Sequence, residues 1–199
     1  MPVLCRAKLL RFVNGTAGVP GSLIVRDARG SLASVKEKAM QIGIVGLGRM
    51  GGNITRRLLE KGHRCVVFDR NAAAITALGG DGALPAKDLT DLVRQLDKPR
   101  AVWVMLPAGE VTENTVSALA AAMGANDIVI DGGNSFYKDD IRRAHMLAGR
   151  RIRYVDVGTS GGIWGLKEGY CMMIGGDKAT VEHLDPIFDA LAPGKDDIA

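Results

Sequence analysis

The chain has three cysteines, Cys5, Cys65 and Cys171, and no C-x-x-C pair. Metal-ligand spacing and the dense cysteine pattern of a disulfide-stapled domain are both missing, so no metal site is expected. Reduced thiols in a cytoplasm are the expectation. No apolar run reaches the ~20 residues that a membrane-spanning helix needs, so no membrane partner is expected. Internal repeats of 20–50 residues, the mark of a solenoid, are lacking as well. So is a basic stripe for nucleic acid. The net charge is +4, but residues 1–39 hold seven Lys/Arg against two acids, while the rest is close to neutral. The basic character therefore belongs to the start of the chain, and no nucleic-acid partner is expected.

What is abundant is glycine, at 26 of 199 residues, nearly twice the usual ~7%. Hydrophobic residues make up 47% and charged residues 24%, which is ordinary for a folded chain and excludes a disordered or fibrous one. The length fits one domain of about 150 residues plus a remnant.

The sequence divides at Met40. Residues 1–39 show no sustained helical or strand period, and Gly15, Gly18, Pro20, Gly21 and Gly30 interrupt them. This segment is expected to be a disordered or spurious extension; its Arg-rich, acid-poor make-up also fits a targeting segment. Residues 40–194 are expected to form the folded domain, and 195–199 the start of a linker.

From Met40 strands and helices alternate. Strands are expected over Gln41–Gly46, Arg64–Phe68, Ala101–Leu106, Asp127–Asp131, Arg153–Val157 and Tyr170–Ile174. Helices are expected over Met50–Lys61, Asn71–Leu78, Ala86–Leu96, Val111–Met123, Lys138–Leu147 and Ala179–Leu191. Nearly continuous apolar strands separated by helices predict an α/β fold, a Rossmann-like doubly wound and mainly parallel sheet.

Gly46-Leu47-Gly48-Arg49-Met50-Gly51 is G-x-G-x-x-G. Alone the pattern is weak, but here it follows a strand and opens a helix. Gly46 permits the turn, Gly48 lets backbone amides approach a pyrophosphate, and Gly51 lets helix pack on strand. The helix N-terminus adds about half a positive charge. Asp69 ends the second strand, 18 positions beyond Gly51, where a carboxylate accepts hydrogen bonds from ribose hydroxyls. The 2′-phosphate of NADP would be repelled there by up to ~4 kcal/mol at close range. Arg70 offsets ~1.5–3 kcal/mol of that through a charge-assisted hydrogen bond. NAD is favoured and NADP is possible.

Three further segments carry a family likeness. They are Val104-Met105-Leu106-Pro107-Ala108-Gly109, Asp131-Gly132-Gly133-Asn134-Ser135, and Gly158-Thr159-Ser160-Gly161-Gly162-Ile163-Trp164-Gly165 followed by Tyr170–Asp177. With Gly46–Gly51 they resemble decarboxylating 6-phosphogluconate dehydrogenase in its short bacterial form, across essentially all of 40–199. The resemblance implies oxidative decarboxylation of 6-phosphogluconate to ribulose 5-phosphate in the pentose phosphate pathway, with reduction of NAD(P). It implies that Gly46, Leu47, Gly48, Arg49, Met50 and Gly51 hold the pyrophosphate, and Asp69, Arg70 and Asn71 the adenosine ribose. Leu106, Pro107 and Ala108 would line the path to the nicotinamide, and Asn134 would sit between nicotinamide and substrate. Ser160, Gly161 and Gly162 would bind the sugar acid.

In the family the catalytic lysine, the glutamate acid and the phosphate-binding arginines lie in a later helical domain. No such segment occurs here, so no catalytic residue is assigned. The expectation is a cofactor-binding half, inactive alone and monomeric, of a family that forms homodimers. Two alternatives stand beside it: another β-hydroxyacid dehydrogenase of the 3-hydroxyisobutyrate type, and a non-enzymatic nucleotide-binding module. Lys167, Glu168, His145, His183 and the cluster Arg150, Arg151 and Arg153 are expected on solvated surfaces. Trp103 is expected in a strand core, His63 beside a helix end, and Gly175-Gly176 in a turn.

Overall fold

The computed structural model describes residues 10–12, 39–162 and 164–193. Strands β1 (Leu10–Phe12), β2 (Gln41–Val45), β3 (Arg64–Phe68), β4 (Leu84–Pro85), β5 (Ala101–Val104), β6 (Ile128–Asp131), β7 (Arg153–Ser160) and β8 (Cys171–Gly176) form one sheet. Their order is β1-β8-β7-β6-β5-β2-β3-β4. All neighbours pair in parallel except β7 and β8. The helices are α1 (Arg49–Glu60), α2 (Ala72–Gly80), α3 (Leu89–Gln95), α4 (Glu110–Ala122), α5 (Tyr137–Ala148), α6 (Gly165–Glu168), α7 (Lys178–His183) and α8 (Asp185–Leu191).

The period of two along each strand divides the core in two. Ile42, Ile44, Trp103, Ile130, Val155 and Val157 meet Ile54 and Leu58 of α1, Leu78 of α2 and Phe188 of α8 on one face. Val45, Val66, Val102, Val104 and Val129 meet Leu92, Val116, Leu119 and Leu147 of α3, α4 and α5 on the other. Helices thus cover both faces, which makes the sheet doubly wound. The chain order reverses between β2 and β5, and open α/β sheets bind ligands at the carboxyl ends of strands beside such a reversal.

Several expected boundaries shift. The helix expected from Ala86 begins at Leu89, because the Asp88 carboxylate caps it by accepting from the Asp91 amide at 2.8 Å. The preceding Leu84–Pro85 pairs with Val66 and Val67 as a short strand. The last helix divides at Leu184, and Pro186 lies in the first turn of α8. The four-residue α6 has too little period to be read from sequence.

Gly175 and Gly176 do not make a turn. They pair with Asp156 and Val155 in β8, and a Cβ at Gly176 would lie 3.2 Å from a Val155 methyl. His63 is buried, and its Nδ1 accepts the Met40 amide at 3.1 Å rather than simply resting at a helix end. Leu10–Phe12 pairs with Met173–Gly175 at the sheet edge, a strand too short to show as a period. The remaining expectations for 1–38, and that for 195–199, lie outside the described residues.

Arg57 ties α1 to the segment that follows β7. It is 4% exposed, and its guanidinium donates to the carbonyls of Ala190, Ala192, Leu166 and Lys167 at 2.8–3.3 Å. These carbonyls cluster at the C-terminal ends of α6 and α8, where helices leave acceptors unmatched and carry partial negative charge. Arg57→Met is expected to cost about 3 kcal/mol in urea unfolding, because several buried acceptors lose their donor. Arg57→Lys should recover part of that loss; a cost below about 1 kcal/mol for Arg57→Met would show that water replaces the donor.

Candidate functional site

At the carboxyl end of β2 the chain turns through Gly46, whose φ is +93°. Its amide donates to the Phe68 carbonyl at 3.0 Å. A Cβ there would stand 2.3 Å from the Met105 carbonyl oxygen, and one at Gly51 would stand 1.9 Å from the Gly46 oxygen. The fold itself demands both glycines. Gly48 is different. Its φ is −61°, open to any residue, and a Cβ on it would meet nothing within 4 Å. The space over Gly48 is where a ligand's phosphates would lie, so the cradle fits a dinucleotide. The first intrahelical bond of α1 runs from the Gly52 amide to the Gly48 carbonyl. The amides of Arg49, Met50 and Gly51 therefore have no acceptor within the helix. No acid and no capping side chain stands in that first turn.

Asp69 closes the loop from the side. Its Oδ2 accepts the Leu47 amide and its Oδ1 accepts the Asn71 amide at 2.8 Å. Asn71 caps α2 by accepting the Ala73 amide at 3.0 Å. Each Asp69 oxygen keeps a lone pair for a ribose hydroxyl. Arg70 is exposed and has no ion-pair partner among the described residues. Beside them lies a cleft of about 300 Å³, lined by Val45, Gly46, Phe68, Asp69, Arg70, Leu89, Leu106, Val111, Asn114 and Thr115. The three α4 residues were missed from the sequence, although their i, i+3, i+4 spacing puts them on one helix face. Leu106 belongs to this cleft, whereas Pro107 and Ala108 are exposed beyond it. The Pro107 carbonyl accepts the Thr112 hydroxyl at 2.8 Å.

The third loop is shaped by Asp131, which is fully buried. Its Oδ1 accepts the Gly133 amide at 2.9 Å. Its Oδ2 accepts the Ser135 hydroxyl at 2.9 Å, the Arg143 guanidinium at 3.0 Å and the Tyr154 hydroxyl at 3.2 Å. A Cβ at Gly132 would fall 2.0 Å from the Trp103 indole nitrogen, and one at Gly133 would fall 2.7 Å from the Leu106 carbonyl. The Asp-Gly-Gly turn is thus folded tightly inward, and Asn134 is left exposed at its tip. Arg143, Tyr154, Asp140 and Glu113 complete the cluster. All four escaped the sequence reading; the available signal was an acid ending an apolar strand, which has to find buried donors. Arg142 holds the Glu113 carboxyl down at about 2, with Arg143 assisting. Burial raises Asp140 and Tyr154 above their ordinary values.

Ser160 ends β7 and is exposed, followed by Gly161 (φ +144°) and Gly162 (φ +50°). The Tyr170 ring supports this loop from below: a Cβ at Gly165 would overlap it at 2.0 Å. Ile163 lies outside the described residues. Trp164 is 63% exposed, and Lys167, Glu168, His145 and His183 are also exposed. Arg150 bonds the Ala120 carbonyl and Arg153 pairs with Asp177. Because β6 and β7 are neighbours, the loops bearing Asn134 and Ser160 leave adjacent strand ends.

Asp156 stands beside Asp131 across β6 and β7. Burial, then the charges of Asp140 and Asp131, push its carboxyl up to about 6 from 3.8. Between those values the folded state keeps a proton that the unfolded chain has released, so stability falls as pH rises through that window and stays lower above it. Asp156→Asn is expected to stabilise the protein at pH 7.5 by about 1 kcal/mol, solvent screening included, and to change little at pH 4. Thermal melts at the two pH values check this; a gap independent of pH would contradict it.

The family description "NAD binding domain of 6-phosphogluconate dehydrogenase" matches residues 41–196. The NAD(+)-dependent, decarboxylating 6-phosphogluconate dehydrogenase of Haloferax volcanii is 41% identical over 157 residues, covering 79% of this chain and 52% of its own. The decarboxylating enzyme of Haemophilus influenzae is 36% identical over 156 residues, covering 76% of this chain and 32% of its own. Among solved structures, Plasmodium falciparum 6-phosphogluconate dehydrogenase, studied with NADP+ and with 6-phosphogluconate, superposes with a TM-score of 0.72 at 26% identity, over 79% of this chain and 35% of that one. Mycobacterium tuberculosis 3-hydroxyisobutyrate dehydrogenase, in a structure with L-serine, gives 0.72 at 25% identity, over 77% and 52%. The chain thus spans between a third and a half of these relatives' lengths. The match covers more than three quarters of the chain, and the chain belongs to the 6-phosphogluconate dehydrogenase family, of which it carries the NAD-binding domain.

Proposed function

We propose that this chain binds NAD across the carboxyl ends of β2 and β5 and serves the oxidative decarboxylation of 6-phosphogluconate to ribulose 5-phosphate. The observation that carries the reading is the empty space over Gly48, a glycine that the fold does not need. NAD supplies the hydride acceptor. The amides of Arg49, Met50 and Gly51 hold the pyrophosphate at the helix N-terminus. Asp69 accepts the ribose hydroxyls, and Asn71 keeps that carboxylate turned toward the loop through its amide. The α4 face flanks the adenosine, and Leu106 at the edge of the same cleft leads toward the nicotinamide. Asn134 orients the nicotinamide and the substrate together, while Ser160 and the amides of Gly161 and Gly162 bind the sugar acid. The carboxylate at Asp69 favours NAD, and the exposed Arg70 leaves NADP as a weaker ligand. The three well-separated cysteines, with no C-x-x-C pair, fit work in a reducing cytoplasm. No proton-transfer role is assigned to a described residue.

A second reading, oxidation of a 3-hydroxyisobutyrate-type acid, is favoured by the equal superposition on the Mycobacterium tuberculosis enzyme. Calorimetric titration of the NADH-loaded chain separates the two: heat is expected from 6-phosphogluconate and none from 3-hydroxyisobutyrate. The opposite pattern would reverse the order of the readings.

The cofactor half is tested by fluorescence titration with NADH and NADPH. Gly48→Ala is expected to weaken NADH binding by at least about tenfold while stability stays within about 0.5 kcal/mol, because only the ligand meets the new methyl. Asp69→Asn should raise NADPH affinity relative to NADH by about tenfold, since it removes a like charge beside the 2′-phosphate. A flat NADH signal from folded wild-type chain would end this reading.

A further inference from the structure

One buried cation underlies the loop that presents Asn134. Arg143 on α5 is 1% exposed. Its Nε donates to Glu113 on α4 at 3.0 Å, and its Nη1 donates to Asp131 at 3.0 Å and to the Ser135 hydroxyl at 3.2 Å. The Tyr154 hydroxyl on β7 lies 3.2 Å from the same Asp131 carboxylate and 2.9 Å from that of Asp140, and its one proton is shared between the two. Thr112 ties α4 to the Leu106–Ala108 loop through the Pro107 carbonyl. The guanidinium itself therefore joins α4 to the end of β6 and to the loop bearing Asn134, while Thr112 and Tyr154 link the Leu106–Ala108 loop and the start of β7 to that cluster indirectly. The guanidinium's planar fork fixes several bond directions at once and cannot lose its proton. Packing alone does not call for such a group, because apolar side chains often replace buried ion clusters without loss of stability.

We propose that Arg143 is a positioning residue for the nicotinamide end of the cofactor: through Asp131 it holds the loop that presents Asn134, without touching the ligand itself. This rests on the NAD reading above.

NADH and ADP-ribose share adenosine and pyrophosphate and differ in the nicotinamide, so the pair isolates this loop. Each is titrated into the full chain, as wild type, Arg143→Met, Arg143→Lys and Tyr154→Phe. Arg143→Met is expected to weaken NADH about tenfold and Tyr154→Phe about threefold, with ADP-ribose unchanged within about twofold. Arg143→Lys, which keeps the charge and loses the fork, should fall between wild type and Arg143→Met. Equal losses for both ligands would make Arg143 a general support and overturn the proposal. Unchanged NADH affinity would overturn it too, as would a wild-type chain that binds the two ligands equally. Should Arg143→Met fail to fold, Tyr154→Phe carries the same comparison. A wild-type chain that binds neither ligand overturns the NAD reading itself, and the proposal with it.

Discussion

A Cβ at position 51 would lie 1.9 Å from the Gly46 carbonyl oxygen, and that clearance sets how closely α1 can rest over the end of β2. The close approach brings the first turn of α1 to the carboxyl edge of the sheet, with its amides still uncommitted. Everything else at the edge depends on that placement. Gly46 turns the chain, Asp69 takes the Leu47 amide, and the floor of the neighbouring cleft continues from β2 into β3 and α4. The fold requires Gly51 and leaves Gly48 open, although the two are indistinguishable letters in the motif.

Two carboxylates then do related work in opposite surroundings. Asp69 is part-exposed, takes one backbone amide on each oxygen and keeps capacity for hydroxyl groups. Asp131 is fully buried and spends its capacity on Gly133, Ser135, Arg143 and Tyr154. The first shapes a loop and still lines the open cleft; the second only shapes a loop. Burial divides these roles, because a desolvated carboxylate has to satisfy its lone pairs within the protein. Arg57 performs the same service from the cationic side, closing the ends of α6 and α8 beneath the Ser160 loop.

Much of this was legible as pattern. Apolar strands at regular spacing announced the doubly wound sheet, and Asn71 announced the start of α2. The glycine motif, with Asp69 after the second strand, marked the cofactor edge. What stayed hidden depends on contacts between distant segments. The cluster under Asn134 draws on α4, β6, α5 and β7, and no single window contains it. Gly175-Gly176 looked like a turn because glycine pairs usually break strands; pairing with β7 holds both in β8, and Gly176 is also crowded by Val155 and Val181. The division of the last helix followed from Pro186, whose tolerance in a first helical turn makes it a start signal as readily as a stop.

The distribution of titratable groups also bears on chemistry. Asn134 and Ser160, both exposed at the carboxyl edge, carry an amide and a hydroxyl, neither of which exchanges a proton readily near neutral pH. The titratable groups nearby, Asp131, Arg143 and Tyr154, are turned inward and committed to one another. An oxidation followed by loss of carbon dioxide needs a base for the hydroxyl and an acid for the carbanion equivalent. On the proposed reading the Asn134 and Ser160 loops supply position and hydrogen bonds, and the buried charges around Asp131 are spent on holding the Asn134 loop. On that reading preorganisation and proton transfer are separable: the buried charges beneath Asn134 serve the first and are too committed to one another to compete for the second.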